Sequence, residues 1–351
     1  MNALSPRISV CVPAYNRPEV LPALLDSILC QDYDGFEIVI SEDASPARTE
    51  IRAIATRYAE RYPGVIRYHE NEKNLGYDGN IRQLVALARG EYCLFMGNDD
   101  LLAPGALAAV AGVVERHPDV GVVLRSYATF EGTPDNVVQV FRYFDRELFF
   151  PAGPETIVTL FRRSVVISGL VIHRETAERY ATDRFDGSLL YQLYLVGNIL
   201  TDMNGVSLPD ILALYRLGGV PDFGNSESEK GRFVPKQQTP ESSLAFMHGM
   251  LDIARNIEQT RGVPVFKGIF RDIGNYSYPI LAIQMRQPLG VFLKYCYGLA
   301  RMGFWKNGMF YVYALALLVL GTRGSDWIIG FIKKKLGRTP QLGRVYQGKS
   351  A

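Results

Sequence analysis

Two adjacent carboxylates, Asp99 and Asp100, stand near the end of the stretch GEYCLFMGNDDLL at residues 90–102. A turn at Gly90 leads into the apolar run Tyr92-Cys93-Leu94-Phe95-Met96, which reads as a buried strand. Asn98, Asp99 and Asp100 fall where that strand should end. In an open α/β sheet, ligands bind just beyond the carboxyl ends of the strands. Neighbouring carboxylates there repel each other unless a positive group neutralises them. A hard divalent cation carrying a diphosphate would do so, since Mg²⁺ takes one or two carboxylates together with phosphate oxygens. The same pair also fits a turn that caps a helix from about residue 104, with Pro104 in its first turn.

Other strand ends bear on that choice. The run ISVCVPAYN (8–16) is a strand ending in Pro13-Ala14-Tyr15-Asn16, and FEIVISEDAS (36–45) is one ending in Glu42-Asp43. Helical spacing follows the first at 18–31, and a polar helix follows the second at about 48–62. VIRYHEN (65–71) reads as a third strand, NLGYDGN (74–80) as a glycine-rich turn, and 80–89 as a helix. Residues 91–96 make the fourth strand, 104–116 a helix, and DVGVVLRS (119–126) the fifth strand. Strands alternating with helices in this way imply an α/β fold with a mostly parallel sheet. Further on, the pattern weakens: 135–144 fits a peripheral strand, 165–175 a strand then a helix, 189–200 a buried helix, and 206–219 a closing strand. Residues 218–243 are polar and rich in Gly, Pro and Ser, which predicts a flexible loop or linker. Helices dominate afterwards.

Composition bounds the function. The chain has 351 residues, 48% hydrophobic and 21% charged, so a packed core is expected. Its net charge of +2 hides an asymmetry. Residues 1–288 hold 28 Lys+Arg and 35 Asp+Glu (net −7), whereas residues 289–351 hold 10 Lys+Arg and the single acid Asp326 (net +9). Cys11, Cys30, Cys93 and Cys296 show no metal-like spacing, and free thiols in core strands point to a reducing cytosol. His69, His117, His173 and His248 are scattered. The start, MNALSPRISV, lacks a signal-peptide pattern.

The ordered set VCVPAYNRPEVLPALLDSILCQDYDGFEIVISEDAS, then NLGYDGNIRQLVALARGEYCLFMGNDDLL, resembles the family 2 glycosyltransferases with the GT-A fold. Bacterial enzymes of O-antigen and surface-polysaccharide synthesis, abequosyltransferase-like ones among them, are the most similar. The resemblance covers residues 8–126 well and 127–217 loosely. It implies a catalytic domain over 1–217, the linker 218–243, and a helical region over 244–351. It implies transfer of a sugar from a nucleotide-diphosphate donor to a glycan acceptor, one that is often linked to a polyprenyl diphosphate. By the same resemblance Pro13, Ala14 and Tyr15 border the base, and Asp43 contacts it. Asn74, Gly76 and Asn80 lie beneath nucleotide and sugar, and Gly79 replaces a frequent Arg or Lys. Asn98-Asp99-Asp100 stands at the D-x-D position. Asp99 would reach the ribose or sugar, and Asp100 would ligate Mn²⁺ or Mg²⁺. Arg216 sits where relatives place a base near the diphosphate, although a solvated arginine fits it equally.

Inverting members of the family use a carboxylate to take the acceptor proton. No Glu-Asp pair follows Ser168-Gly169 here. Asp186 is the first candidate, then Asp183 and Asp202, and each also fits a helix cap or surface turn. Two other readings stay open. A sugar nucleotidyltransferase would carry a glycine- and base-rich phosphate loop after the first strand, where this chain has PAYNRP. A degenerate domain serving as a membrane-bound assembly partner would fit Asn98 and the missing pair, but not the retained Asp43, Asp99 and Asp100.

The basic tail contains MFYVYALALLVLG, 13 residues without charge, short of the ~20 that a span needs. Phe304, Trp305, Tyr311, Tyr313 and Trp327 beside Lys306, Arg323 and Lys333-Lys334-Lys335 predict a helix lying on anionic lipid. A helical hairpin packed on the catalytic domain is the alternative. The interleaved aliphatic run argues against nucleic acid. The expected location is the cytoplasmic face of the cell membrane, as a peripheral protein.

Overall fold

A computed structural model describes residues 7–219, 221–336 and 346–350. The amino-terminal half alternates strands β1 (Ile8–Ala14), β2 (Phe36–Glu42), β3 (Ile66–Glu70) and β4 (Tyr92–Phe95) with helices α1 (Leu21–Leu29), α2 (Arg48–Arg61) and α3 (Gly76–Leu87). Next come β5 (Leu101–Leu102), α4 (Ala106–Arg116), β6 (Val120–Phe130), β7 (Val137–Phe141), β8 (Leu148–Phe150) and α5 (Pro154–Leu160). Then follow β9 (Val171–His173), α6 (Arg174–Arg179), α7 (Tyr191–Asp202) and β10 (Asn204–Arg216). Helices α8 (Pro240–Arg261), α9 (Phe266–Asn275), α10 (Tyr278–Met285), α11 (Leu289–Arg301) and α12 (Gly308–Leu336) complete the chain, with a short β11 (Lys349–Ser350).

One mixed sheet runs β3-β2-β1-β4-β9-β6-β10-β8-β11. Strands β3, β2, β1 and β4 are parallel, β9 is antiparallel to both β4 and β6, and β10 is parallel to β6. The carboxyl ends of β1, β2, β4 and β10 therefore share one edge. Because β9 runs the other way, the residues before it, Ser168 and Gly169, reach that same edge. β5 pairs antiparallel with β10 through Leu101 and Leu214, which clamps Asp99-Asp100 beside Arg216. Continuous apolar runs such as Val10-Cys11-Val12 and Ile38-Val39-Ile40 suit strands covered on both faces, and all six residues are buried.

One face of the sheet packs on α1 and α4 through Leu24, Ile28, Leu107 and Val110. The other packs on α3, α5 and α7, and its core continues into α8–α12 through Leu251, Ile269, Phe292 and Leu317. The carboxy-terminal helices are thus held to the sheet by shared apolar burial, the dominant favourable term in folding.

Two expectations need correction. α3 starts at Gly76, not residue 80, because side chains begin it early: Asn74 Oδ1 accepts the Gly76 N–H at 2.9 Å and Asp43 Oδ1 the Leu75 N–H at 2.8 Å. Residues 221–236 are not a linker but a cover on the sheet edge. Ser226 and Glu229 are buried, and Glu229 accepts the N–H groups of Tyr77 and Gly224, each at 2.8 Å. The Glu229 carboxylate thus serves backbone groups rather than water.

Candidate functional site

A cleft of about 430 Å³ opens at this edge. At one end Pro13 and Tyr15 from the end of β1 face Asp43 from the end of β2 and Asn74, Gly76 and Asn80 from α3. Asn71 Nδ2 bridges Asp43 Oδ1 at 2.8 Å and Asn80 Oδ1 at 3.1 Å, and Asn80 Nδ2 donates to Ser41 O at 3.0 Å. Burial pushes the Asp43 carboxyl up to about 6, against the N–H groups that hold it ionised. Ala14 does not line this cleft. Its side chain lies in the core, and its carbonyl accepts the Asp43 N–H at 3.0 Å.

The acidic end is built by three strands. Asp100 is 2% exposed. Its Oδ1 accepts the Arg216 N–H at 2.9 Å, and its Oδ2 accepts the Ser168 hydroxyl. Burial and the adjacent Asp99 charge push the Asp100 carboxyl up to about 7. Arg17 pairs with Asp99, and Arg216 Nε donates to the Asp99 carbonyl at 2.9 Å. Asn98, which also lines the cleft, donates from Nδ2 to Asn16 O at 3.1 Å. Beneath this end Arg125 is fully buried. Its Nε and Nη2 donate to the carbonyls of Ser168 and Val166 at 2.8 and 2.7 Å, and its Nη1 finds no acceptor among the described residues. Burial lowers its pKa, while Asp100 acts to raise it.

The cover adds Asp222, Phe223, Asn225 and Glu229 to the lining. Asp222 Oδ2 accepts from Asn16 Nδ2 at 2.7 Å, and the Phe223 ring meets Tyr77 edge-on at 5.8 Å. Gly76 lets the cover approach: at φ +76° a Cβ there would stand 2.5 Å from Ser226 Oγ and 2.9 Å from Glu229 Oε1. Positive φ at Asn16, Arg17, Ala44 and Leu189 marks the turns around the cleft. Such backbone is costly for non-glycine residues and persists where neighbours enforce it.

Asp186 stands apart. It forms a two-pronged ion pair with Arg82, at 2.6 and 2.8 Å, and is absent from the lining of the cleft. Arg82, which also donates to Thr182 O, holds its carboxylate. Asp183 accepts none of the cleft contacts, and Asp202 pairs with Arg261 and Tyr180. The carboxylate that shapes this region is Asp78. It accepts the N–H groups of Ser188, Leu189, Leu190 and Tyr191 at 2.8–2.9 Å, capping α7 and enforcing the Leu189 turn.

Pro13, Tyr15, Asp43, Asn74, Gly76, Asn80, Asn98, Asp99, Asp100 and Arg216 are thus brought together. Sequence reasoning missed Arg17, Asp78, Arg125, Asp222 and Glu229. Arg17 was signalled by its place in PAYNRP, but Asp222 and Glu229 lie in a stretch without periodicity.

Comparison with known proteins gives this arrangement a lineage. Residues 9–166 match the model of glycosyl transferase family 2. Abequosyltransferase RfbV of Salmonella typhimurium is 40% identical over 115 residues, 32% of this chain and 34% of that protein. The aligned part thus spans about a third of that relative's length. TarS 1–349 of S. aureus superposes with a TM-score of 0.58 at 15% identity, covering 98% of each chain. Mannosyltransferase PcManGT from Pyrobaculum calidifontis, in complex with GDP-Man and Mn²⁺, does so with a TM-score of 0.51 at 17% identity, covering 91% of this chain and 87% of that one. At these identities the two structures establish the fold, the mixed sheet flanked by helices. Over residues 9–166, this chain is similar to the family 2 glycosyltransferases.

Proposed function

We propose that this protein transfers a sugar from a nucleotide-diphosphate donor to a lipid-linked glycan acceptor at the membrane surface, in bacterial surface-polysaccharide assembly. One observation carries the reading. The buried Asp100, with its raised pKa, and Asp99 meet Arg17 and Arg216 at the acidic end of a cleft of about 430 Å³. A paired-acid site between two guanidiniums suits a diphosphate held with a cation. The TarS structure solved with UDP-GlcNAc and the PcManGT complex with GDP-Man support the donor class.

The residues fit a hard divalent cation. The Asp99–Asp100 repulsion and the raised Asp100 pKa are relieved by a positive charge, and Asp100 and Asp99, with the Asn98 amide oxygen, would hold it. When bound, such an ion offsets the charge that develops on a departing nucleoside diphosphate. Arg17 and Arg216 add fixed positive charge at the same end, which costs no reorganisation during reaction. Asp43 would accept from the base, with Tyr15 and Pro13 against its plane. The remaining carboxylates narrow the choice of base. Asp99 pairs with Arg17, Asp43 and Glu229 accept backbone N–H groups, and among the described residues the Asp222 carboxylate is hydrogen-bonded by the amides of Asn16 and Asn225. We assign Asp222 the removal of the acceptor hydroxyl proton.

Membrane association rests on α12. Gly308–Ile332 is long and apolar enough to cross a membrane by length and composition. Gly321, at φ 65° and ψ −176°, breaks it into two shorter helices. The first, about 13 residues, is roughly 20 Å long at 1.5 Å per residue, less than the ~30 Å hydrocarbon core. Tyr311, Leu315, Leu318, Val319, Trp327 and Phe331 are exposed. A wide apolar face with aromatic residues suits a helix lying in the interface. The side chains of Lys333 and Lys334 lie outside the described residues.

The test is a thermal-shift screen against UDP, GDP, CDP and dTDP and their sugars, with Mn²⁺ or EDTA. A cation-dependent stabilisation by one nucleotide is expected, since a ligand of the folded state raises stability by RT ln(1+[L]/Kd). No shift with any nucleotide favours the degenerate assembly partner.

A further inference from the structure

A second cleft, about 530 Å³, opens beside the first. The two adjoin at consecutive residues: Ser188 and Ala245 line the second, Leu189 and Phe246 the first. The second is basic. Arg184 and Arg232 from the segments flanking the 187–189 turn, and His248 and Arg255 from α8, line it against one carboxylate, Asp252. Asp252 already accepts from Arg255 Nη1 at 3.0 Å. Arg232 Nη1 reaches the Gly187 carbonyl at 3.3 Å, and Arg184 lies 5.8 Å from the centre of the Phe185 ring. Among the described residues, no carboxylate pairs with Arg184 or Arg232.

We propose that this second cleft binds the phosphate or diphosphate group of the acceptor side of the reaction, next to the donor cleft. Arg184, Arg232 and Arg255 are exposed around one concavity, so their positive charge is open to an anion that joins them. Planar guanidinium forks match phosphate oxygens two at a time. The volume falls within the ~300–1,000 Å³ typical of small-ligand sites, enough for a diphosphate with part of its sugar. Asn256 and Ser188 add polar side chains to the wall. The position matters as much as the charge. A group anchored here lies across the Leu189 turn from the donor cleft, whose lining includes Asp222. This rests on the transferase reading for its role, but the anion site itself does not.

The same phosphate chemistry occurs in a polyisoprenyl diphosphate and in an anionic lipid headgroup, so the experiment uses both. Full-length wild type and R184Q/R232Q are titrated in EDTA with inorganic pyrophosphate and with farnesyl diphosphate, and are sedimented with phosphatidylglycerol and phosphatidylcholine vesicles. Both arginines are exposed, and an unchanged melting temperature confirms that the variant folds. The expected result is at least tenfold weaker binding of both soluble diphosphates by the variant. D252N, which removes the one carboxylate, is expected to bind them several-fold more tightly, a gain that damage to the fold would not produce. Loss confined to phosphatidylglycerol vesicles would identify a headgroup as the source of the phosphate. Wild type that binds neither soluble diphosphate, with vesicle binding equal in the variant, overturns the proposal. Cation-dependent nucleotide binding is measured in parallel. Its presence in R184Q/R232Q shows the donor cleft intact, and its absence in wild type defeats the transferase reading while leaving the anion cleft to be judged on its own titrations.

Discussion

Ser168 links two strand ends: its hydroxyl donates to Asp100 Oδ2 and accepts the Gly97 N–H at 3.0 Å. The first bond favours the ionised Asp100, against burial and the Asp99 charge that favour the neutral acid. Removing it should raise the Asp100 pKa further. S168A is expected to weaken Mn²⁺-dependent nucleotide binding by roughly 1.5–3 kcal/mol, the usual worth of a hydrogen bond to a charged group. The loss should be larger at pH 6.5 than at pH 8.5, where even the perturbed carboxyl ionises. Isothermal titration at the two pH values checks this, and an equal loss at both would remove Ser168 from control of that ionisation.

The cation-free protein should lose stability as pH rises. The native carboxyls of Asp100 (about 7), Asp43 (about 6) and Asp78 (about 6) all lie above their ordinary value of 3.8. Between about pH 4 and 7 the folded state therefore binds more protons than the unfolded chain, so stability is higher at the acid end and falls through the native pKa values. In EDTA the melting temperature should drop from pH 5 to pH 8. D100N, whose amide can accept from Arg216 N–H and donate to Ser168, should be more stable than wild type at pH 8 by about 1–3 kcal/mol, one pKa unit being 1.36 kcal/mol. The gain should vanish below about pH 4. A flat difference between the two proteins across pH would contradict the buried, partly protonated Asp100.

Asp186 and Asp222 invite opposite outcomes. D186N breaks a partly exposed pair with Arg82, worth about 1 kcal/mol or less, and should leave turnover within a few-fold of wild type. D222N should cut kcat by about 10²–10⁴, the usual contribution of a general base, with donor affinity unchanged. Donor titration and initial rates on each variant separate the two. Full activity in D222N would return the base to the open question.

The fold was legible because its core strands are continuous apolar runs and its acids sit at their ends. Val10-Cys11-Val12 and Ile38-Val39-Ile40 declare buried strands, and Asp43 and Asp100 follow strands that the parallel topology brings to one edge. What periodicity could not convey is long-range polar bonding. Asp78 read as part of a turn, but it caps a helix more than 100 residues away. The segment around Asp222 and Glu229 read as solvent-facing because its side chains are polar, yet those groups are spent on Tyr77, Gly224 and Asn16. Composition identifies a polar side chain; it does not say whether water or a distant N–H is its partner.

That distinction gives a prediction at Asp78. D78A leaves four buried N–H groups at the start of α7 without acceptors. An unsatisfied buried donor costs roughly 1–3 kcal/mol, and backbone relaxation lets some find water, so a loss of about 2–4 kcal/mol is expected. Urea unfolding measures it. The Leu189 turn should loosen with it, weakening donor binding as well. A variant with wild-type stability would mean that the turn is held by its packing alone.

Membrane attachment should be tested by surface substitution rather than by deletion. Cutting the chain after residue 288 would remove α11 and its buried Phe292, Tyr295 and Leu299, and would strip the core on which α8 packs. Leu315, Leu318 and Val319 are exposed on α12 and contribute little to that core. Replacing Leu318 and Val319 with glutamate should leave the melting temperature within about 2 °C, since exposed sites usually change stability by less than 0.5 kcal/mol. It should also release the protein from phosphatidylglycerol vesicles, because it removes apolar burial and adds repulsion from anionic lipid. Cation-dependent nucleotide binding in solution should persist. If the double variant still sediments with vesicles as wild type does, α12 is not the docking element, and its exposed face needs another partner.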